Sequence, residues 1–118
     1  MTAYAIAHLR TPRINDDVLE YIERIQATFD PYSGRFLVHG ATPEVKEGSW
    51  PGTIVIIGFP DMPSARAWYD SPAYQDIVRL RTAHIEGEAI LIDGLAPDHD
   101  AAATAALLRA GAMAQPTR

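Results

Sequence analysis

At 118 residues, with 47% hydrophobic and 21% charged positions, the chain has the size and balance of one globular domain with a single modest core. A net charge of −5 without a Lys/Arg cluster argues against nucleic acid or an anionic membrane as the main partner. The lack of cysteine excludes disulfide scaffolds, thiolate metal sites and thiol nucleophiles.

Ala3 to Arg10 reads as the first strand, with Tyr4, Ile6, His8 and Arg10 on one side and Ala5, Ala7 and Leu9 on the other. The small alanine side suits a helix lying close above it. The opening MTAYAIAHLR carries no basic leader or long apolar region, so no signal peptide is expected. No apolar run approaches the ~20 residues that span a bilayer. A soluble, cytoplasmic protein is the expectation.

Thr11-Pro12-Arg13 leaves the sheet. Asn15 or Asp16 can cap a helix running to about Phe29, with Val18, Leu19, Ile22, Ile25 and Phe29 as its apolar stripe. Asp30-Pro31-Tyr32-Ser33-Gly34 is a turn, in which Gly34 is expected to supply a backbone angle that other residues avoid. Arg35 to His39 is a second short strand. Gly40 to Gly52 is a polar hairpin connection carrying Trp50.

Ile54, Val55, Ile56 and Ile57 are four consecutive β-branched residues, which favour a central strand covered on both faces. Phe59-Pro60 ends the pairing, because proline has no N–H to donate. Asp61 caps a short helix bearing Trp68 and Tyr69, and Ser71-Pro72 starts another that runs to about His84. Tyr74, Ile77, Val78 and Arg81 share a face of that last helix. Glu88 to Ile92 is the fourth strand.

The order β-α-β-β-α-β, with right-handed crossovers, gives an α+β, ferredoxin-like domain over residues 1–95. Its four-stranded antiparallel sheet has the first and third strands in the middle and helices on one face only. A second copy is expected to cover the bare face, giving a homodimeric α+β barrel. Residues 96–118 form an Ala-rich extension. A helix is expected over Ala101 to Ala114, capped by Asp98 or Asp100, and it either docks or frays.

The chain resembles the family known as domain of unknown function 1330. The resemblance rests on Tyr32, Gly34-Arg35-Phe36-Leu37-Val38 with Gly40, Glu47-Gly48 with Trp50, Val55 and Ile57 with Phe59-Pro60, Ala67-Trp68-Tyr69, Ser71-Pro72 with Tyr74-Gln75, Leu80-Arg81 and Asp93-Gly94. It runs from about Ala3 to Leu95. It implies the ferredoxin-like fold and the dimeric barrel, and no activity. His39, Thr53 and Gly58 depart from the pattern, standing where family members usually carry Arg, a basic residue and Glu.

Several residues invite chemistry. His8 and His39 fall near the ends of strands that flank the third, about 10 Å apart across two strand spacings. Their side chains could converge on a ligand as acid, base or hydrogen-bond partner. The plainer reading makes each a satisfied strand-end residue. Two histidines without a third ligand at a recognisable spacing do not make a zinc site, so no metal is expected. Trp68 is read as core, and Tyr32 and Tyr74 as structural hydroxyls that could instead orient a ligand. Trp50 could cover a pocket or cap the partner copy. Arg81, with a partly buried stem, calls for a carboxylate: a structural ion pair with Asp93, Asp70 or Glu47, or, in the functional reading, an acidic substrate held bidentately.

The functional expectation is a small-molecule binding protein or cofactor-free enzyme. Its cavity would lie on the uncovered sheet face, with Tyr4, His8, Arg35, His39, Trp50 and Arg81 as candidate ligand-binding residues and no cofactor. The alternative is a non-enzymatic interaction protein whose dimer is the working unit. No nucleotide, hydrolase or metalloprotease motif is present.

Overall fold

The computed structural model describes residues 2–111. Strands β1 (Ala3–Leu9), β2 (Arg35–Ala41), β3 (Thr53–Phe59) and β4 (Gly87–Asp93) form one antiparallel sheet in the order β2-β3-β1-β4. Between them lie α1 (Asp16–Phe29), a 3-10 turn (Asp30–Tyr32) and the short helices α2 (Met62–Asp70), α3 (Pro72–Gln75) and α4 (Val78–Thr82). A last helix, α5 (Ala101–Arg109), follows the sheet. The expected βαββαβ order and strand placement hold. No helix among the described residues is long and apolar enough to cross a membrane.

Capping side chains set the helix starts. Asn15 accepts from the Val18 N–H, Asp61 from Ser64 and Ser71 from Tyr74. Register sorts the sheet residues between two faces. Ala3, Ala5, Ile57 and Phe59 face the helices and are buried with Tyr21, Ile25, Phe29, Ala65, Trp68, Tyr74 and Ile77. The stripe of α1 differs from its expectation. Leu19 and Ile22 are exposed, and Tyr21 and Thr28 are buried in their place. Both polar groups have partners inside: Tyr21 meets the Tyr74 hydroxyl, and Thr28 accepts from the Trp68 indole. Hydrogen-bonded in this way, they can be buried without penalty.

Two local expectations are corrected. The left-handed residue of the turn is Ser33, with φ 58°, and Gly34 is there for space. A Cβ on Gly34 would sit 2.8 Å from the Phe59 ring and 3.0 Å from Phe29 Cβ. The helix expected to run to His84 breaks after Gln75, where the Ile77 N–H bonds the Tyr74 carbonyl in a tighter i→i+3 turn. Tyr74, Ile77 and Arg81 are all buried across the break.

The front of the sheet has no helix over it. Val38, Ile56, Ile6 and Ile90 form a row across it, with Ile54, Ile92 and Leu37 nearby. Ile90, Ile92 and Leu37 are exposed. Helix α5 is capped by Asp100 and contains no buried residue. The part of its expected span beyond 111, from Ala112 to Ala114, lies outside the described residues.

Candidate functional site

The helix layer stands off the sheet at one end and leaves a cavity of about 570 Å³ between them. The cause is visible in β1 and β4. His39, Val55, Ala7 and Ala89 form one cross-strand row on the helix side, and two of the four are alanines. The alanine side was expected to let a helix come close. It does so at Ala3, which is fully buried, whereas Ala5 and Ala7 both line the cavity and Ala7 is the more exposed of the two. The roof is Val18, Tyr21, Ile22 and Ile25 of α1. Trp68, Tyr69, Tyr74 and Arg81 close the inner wall. Leu9, Pro12, Arg13, Ile14, Gly40 and Thr53 line the end where β1 finishes and β3 begins.

The inner wall is aromatic and tightly built. The Trp68 and Tyr74 rings are 4.3 Å apart, and the Tyr69 and Tyr74 rings 5.4 Å. Trp68 Nε1 donates to Thr28 Oγ1 at 2.9 Å, and the Thr28 hydroxyl donates on to the Ile25 carbonyl at 2.5 Å. The Tyr21 and Tyr74 hydroxyls are 2.8 Å apart. Arg81 lies with its guanidinium 5.5 Å from the centre of the Tyr21 ring, a cation–π geometry. The carboxylate expected for it is not there: among the described residues Arg81 has no ion pair, and its buried Nε has no hydrogen-bond partner. Burial works against its charge, but Tyr21 and Tyr74 work for it, and its pKa is raised above the usual arginine value.

Burial, reinforced by Tyr74, pushes the Tyr21 hydroxyl well above its ordinary pKa of 10.0, against the pull of Arg81. The unfolded chain therefore releases this proton first. The stabilisation is complete below about pH 10 and is lost as pH rises beyond it, by up to about 1.4 kcal/mol per pH unit for one proton. Urea unfolding at a series of alkaline pH values is expected to show that slope, and Tyr21→Phe to flatten it. An unchanged slope would assign the alkaline loss to another group.

The six residues singled out from the sequence fall into two sets. Arg81 and His39 line the cavity behind the sheet. Tyr4, His8, Arg35 and Trp50 belong to the front. Tyr4 pairs across with Gly58 and Ile92, and Arg35 with Gly58, beside a shallow hollow of about 220 Å³. His8 stacks on Trp50, with ring centres 3.9 Å apart, and its Nε2 donates to the Pro51 carbonyl at 2.7 Å. His8 and His39 therefore do not converge. A shift in register between Phe36 and Val38 turns His39 to the helix side, where it stacks on Phe36 at 4.1 Å. Of the three departures from the family pattern, His39 and Thr53 line the cavity, and Gly58 faces Leu37 on the front. Tyr21 was missed, although its spacing from Val18 and Ile25 puts a hydroxyl-bearing ring in the middle of the apolar stripe of α1.

Comparison with known proteins bears on the fold. The model of a family described as a domain of unknown function, DUF1330, matches residues 2–95. No curated protein matches the chain. A solved structure of a protein of unknown function from Rhodopseudomonas palustris is similar, with a TM-score of 0.62 and 15% identity, covering 81% of this chain and 84% of that one. A dimeric ferredoxin-like protein of unknown function from Jannaschia sp. CCS1 gives 0.55 and 12%, over 80% and 100%. SnoaB, a cofactor-independent oxygenase from Streptomyces nogalater solved as a single-residue mutant, gives 0.56 and 14%, over 83% and 98%. At these identities the likeness shows a shared fold.

Proposed function

Because the chain belongs to the DUF1330 family, which brings a fold and no assigned activity, we propose its function from the cavity: it binds a small, largely apolar organic molecule between the helix layer and the sheet. The observation that carries this is the 570 Å³ space itself, walled by aliphatic and aromatic side chains with a few polar groups at its inner end. Sites for small organic ligands run from about 300 to 1,000 Å³ and have this mixture of lining. The space opens to solvent past Pro12, Arg13 and Ile14, which gives a ligand a way in. The pocket was expected on the bare front; this reading moves it behind the sheet, and leaves the front as the surface on which a second copy packs. Support for the homodimer is the exposed apolar row of the front and the dimeric Jannaschia protein of the same fold. The likeness to an oxygenase carries the fold alone, so no reaction is assigned to these residues.

The test is binding of naphthylmethanol, a neutral bicyclic probe, followed by calorimetry. The wild-type chain is expected to bind it. Ala7→Phe places a ring on the cavity floor and is expected to abolish binding while leaving the far-ultraviolet circular dichroism unchanged. Unaltered binding in Ala7→Phe would put the probe elsewhere and end this reading.

A further inference from the structure

We propose that the natural occupant of the cavity is a flat organic anion whose charged oxygen, a carboxylate or an ionised phenol, is received by Arg81. This rests on the cavity reading above and adds the chemical class of the ligand. Three features of the site point to it.

The first is the state of Arg81. It is 7% exposed, and its Nε is buried with no partner. A guanidinium carries five N–H donors in a fixed fork and keeps its charge at all working pH values. A buried charge without a counter-charge is among the least favourable arrangements a fold can hold. The nearest polar groups are neutral: the Tyr21 and Tyr74 hydroxyls, which face each other at 2.8 Å, and the Tyr21 ring, over which the cation lies. These solvate the charge without cancelling it. An oxyanion entering the cavity supplies the missing charge, and against the outer N–H groups of the guanidinium it takes the charge-assisted geometry that the planar fork favours.

The second is the charge of the whole lining. Arg13, His39 and Arg81 line the cavity, and no Asp or Glu does. This occurs in a chain with 15 acidic against 10 basic residues and a net charge of −5. Most of that lining is apolar interior, where carboxylates are rare in any fold, so what bears on a ligand is the positive sign of the buried Arg81 guanidinium. The walls have the sign that attracts an anion and repels a cation.

The third is shape. Tyr21, Trp68, Tyr69 and Tyr74 line the cavity together with Arg81, and the Tyr21 ring lies under its guanidinium. Aromatic walls favour a flat π-system that can stack or meet them edge-on. Tyr74 lies beside both Trp68 and the Tyr21 hydroxyl, so its O–H can turn from its neighbour to donate to the incoming oxygen. The ligand thus places its plane along the tyrosines and tryptophan, and its anionic edge against Arg81.

Calorimetric titration of the full chain with naphthoate and with naphthylmethanol, near neutral pH, decides the matter, because the two share a ring system and differ in charge. Naphthoate is expected to bind about tenfold more tightly or better. Arg81→Met is expected to bring naphthoate down to the affinity of the alcohol and to leave the alcohol within about threefold of wild type. Arg81→Lys keeps the charge without the fork and is expected to fall between, which tests the assignment should the methionine variant not fold. Equal affinities in the wild type would overturn the anion while leaving the apolar cavity standing. A preference for naphthoate that survives in Arg81→Met or is undiminished in Arg81→Lys would overturn the role of Arg81. Binding of neither compound would overturn the cavity reading and this inference together.

Discussion

Trp68→Ala is expected to remove about 3–5 kcal/mol of stability, the range for deleting a large buried aromatic side chain. Total stabilities of single domains run to only about 5–15 kcal/mol, so the variant would sit near the edge of folding. The reason is position. Trp68 is 3% exposed, and its ring lies 5.3 Å from Phe59, 6.4 Å from Phe29 and 4.3 Å from Tyr74, measured between ring centres. It thereby joins α1, β3, α2 and α3. Its N–H also starts the chain of hydrogen bonds that runs from Trp68 through Thr28 to the Ile25 carbonyl. Trp68→Phe keeps most of the packing and loses that donor, so about 1–2 kcal/mol is expected. Urea unfolding measures both, as a lower midpoint at unchanged slope. A loss below about 1 kcal/mol in Trp68→Ala would show that the helix layer is held by other contacts.

Ile56→Glu is expected to convert the proposed dimer into a monomer. Ile56 sits in the front row between Val38 and Ile6, on a sheet face about 20 Å wide and 23 Å long from strand spacing and rise. Two-fold symmetry brings the same patch of both copies together, so one substitution places two carboxylates in the joint. Desolvating unpaired charge there costs several kcal/mol, enough to raise the dissociation constant by about a thousandfold. Light scattering is expected to report twice the monomer mass for the wild type and the monomer mass for the variant. The cavity lies on the opposite face, so naphthylmethanol binding should survive. A variant that stayed dimeric would place the contact between copies elsewhere.

Much of the fold was legible in the chain. Alternation assigned the two sides of β1, and the caps at Asn15, Asp61 and Ser71 fixed three helix starts, because these features are local. The site was less legible, because it depends on events that strand periodicity does not encode. Simple alternation from Arg35 places Leu37 and His39 with it on the front, beside His8. The irregularity between Phe36 and Val38 inserts one residue, and everything after it changes side. The identity of the face with the cavity was hidden for a different reason. Ala3 and Ala7 look alike in sequence, yet one is packed under the helices and the other floors an open space. That distinction is set by where α1 and the broken α3–α4 pair come to rest. Arg81 was recognised as a buried cation, but its neighbours are tyrosines from α1 and α3 rather than a carboxylate.

The alternation along β1 also divides evolutionary labour by parity. Odd-numbered positions from Ala3 to Leu9 face the helix layer, and even-numbered ones from Tyr4 to His8 face the bare front on which a second copy is proposed to pack. One sheet thickness of backbone is all that separates the two tasks. Neighbouring residues therefore answer to unrelated constraints: a change at Ala7 is felt in the cavity, and a change at His8 on the front.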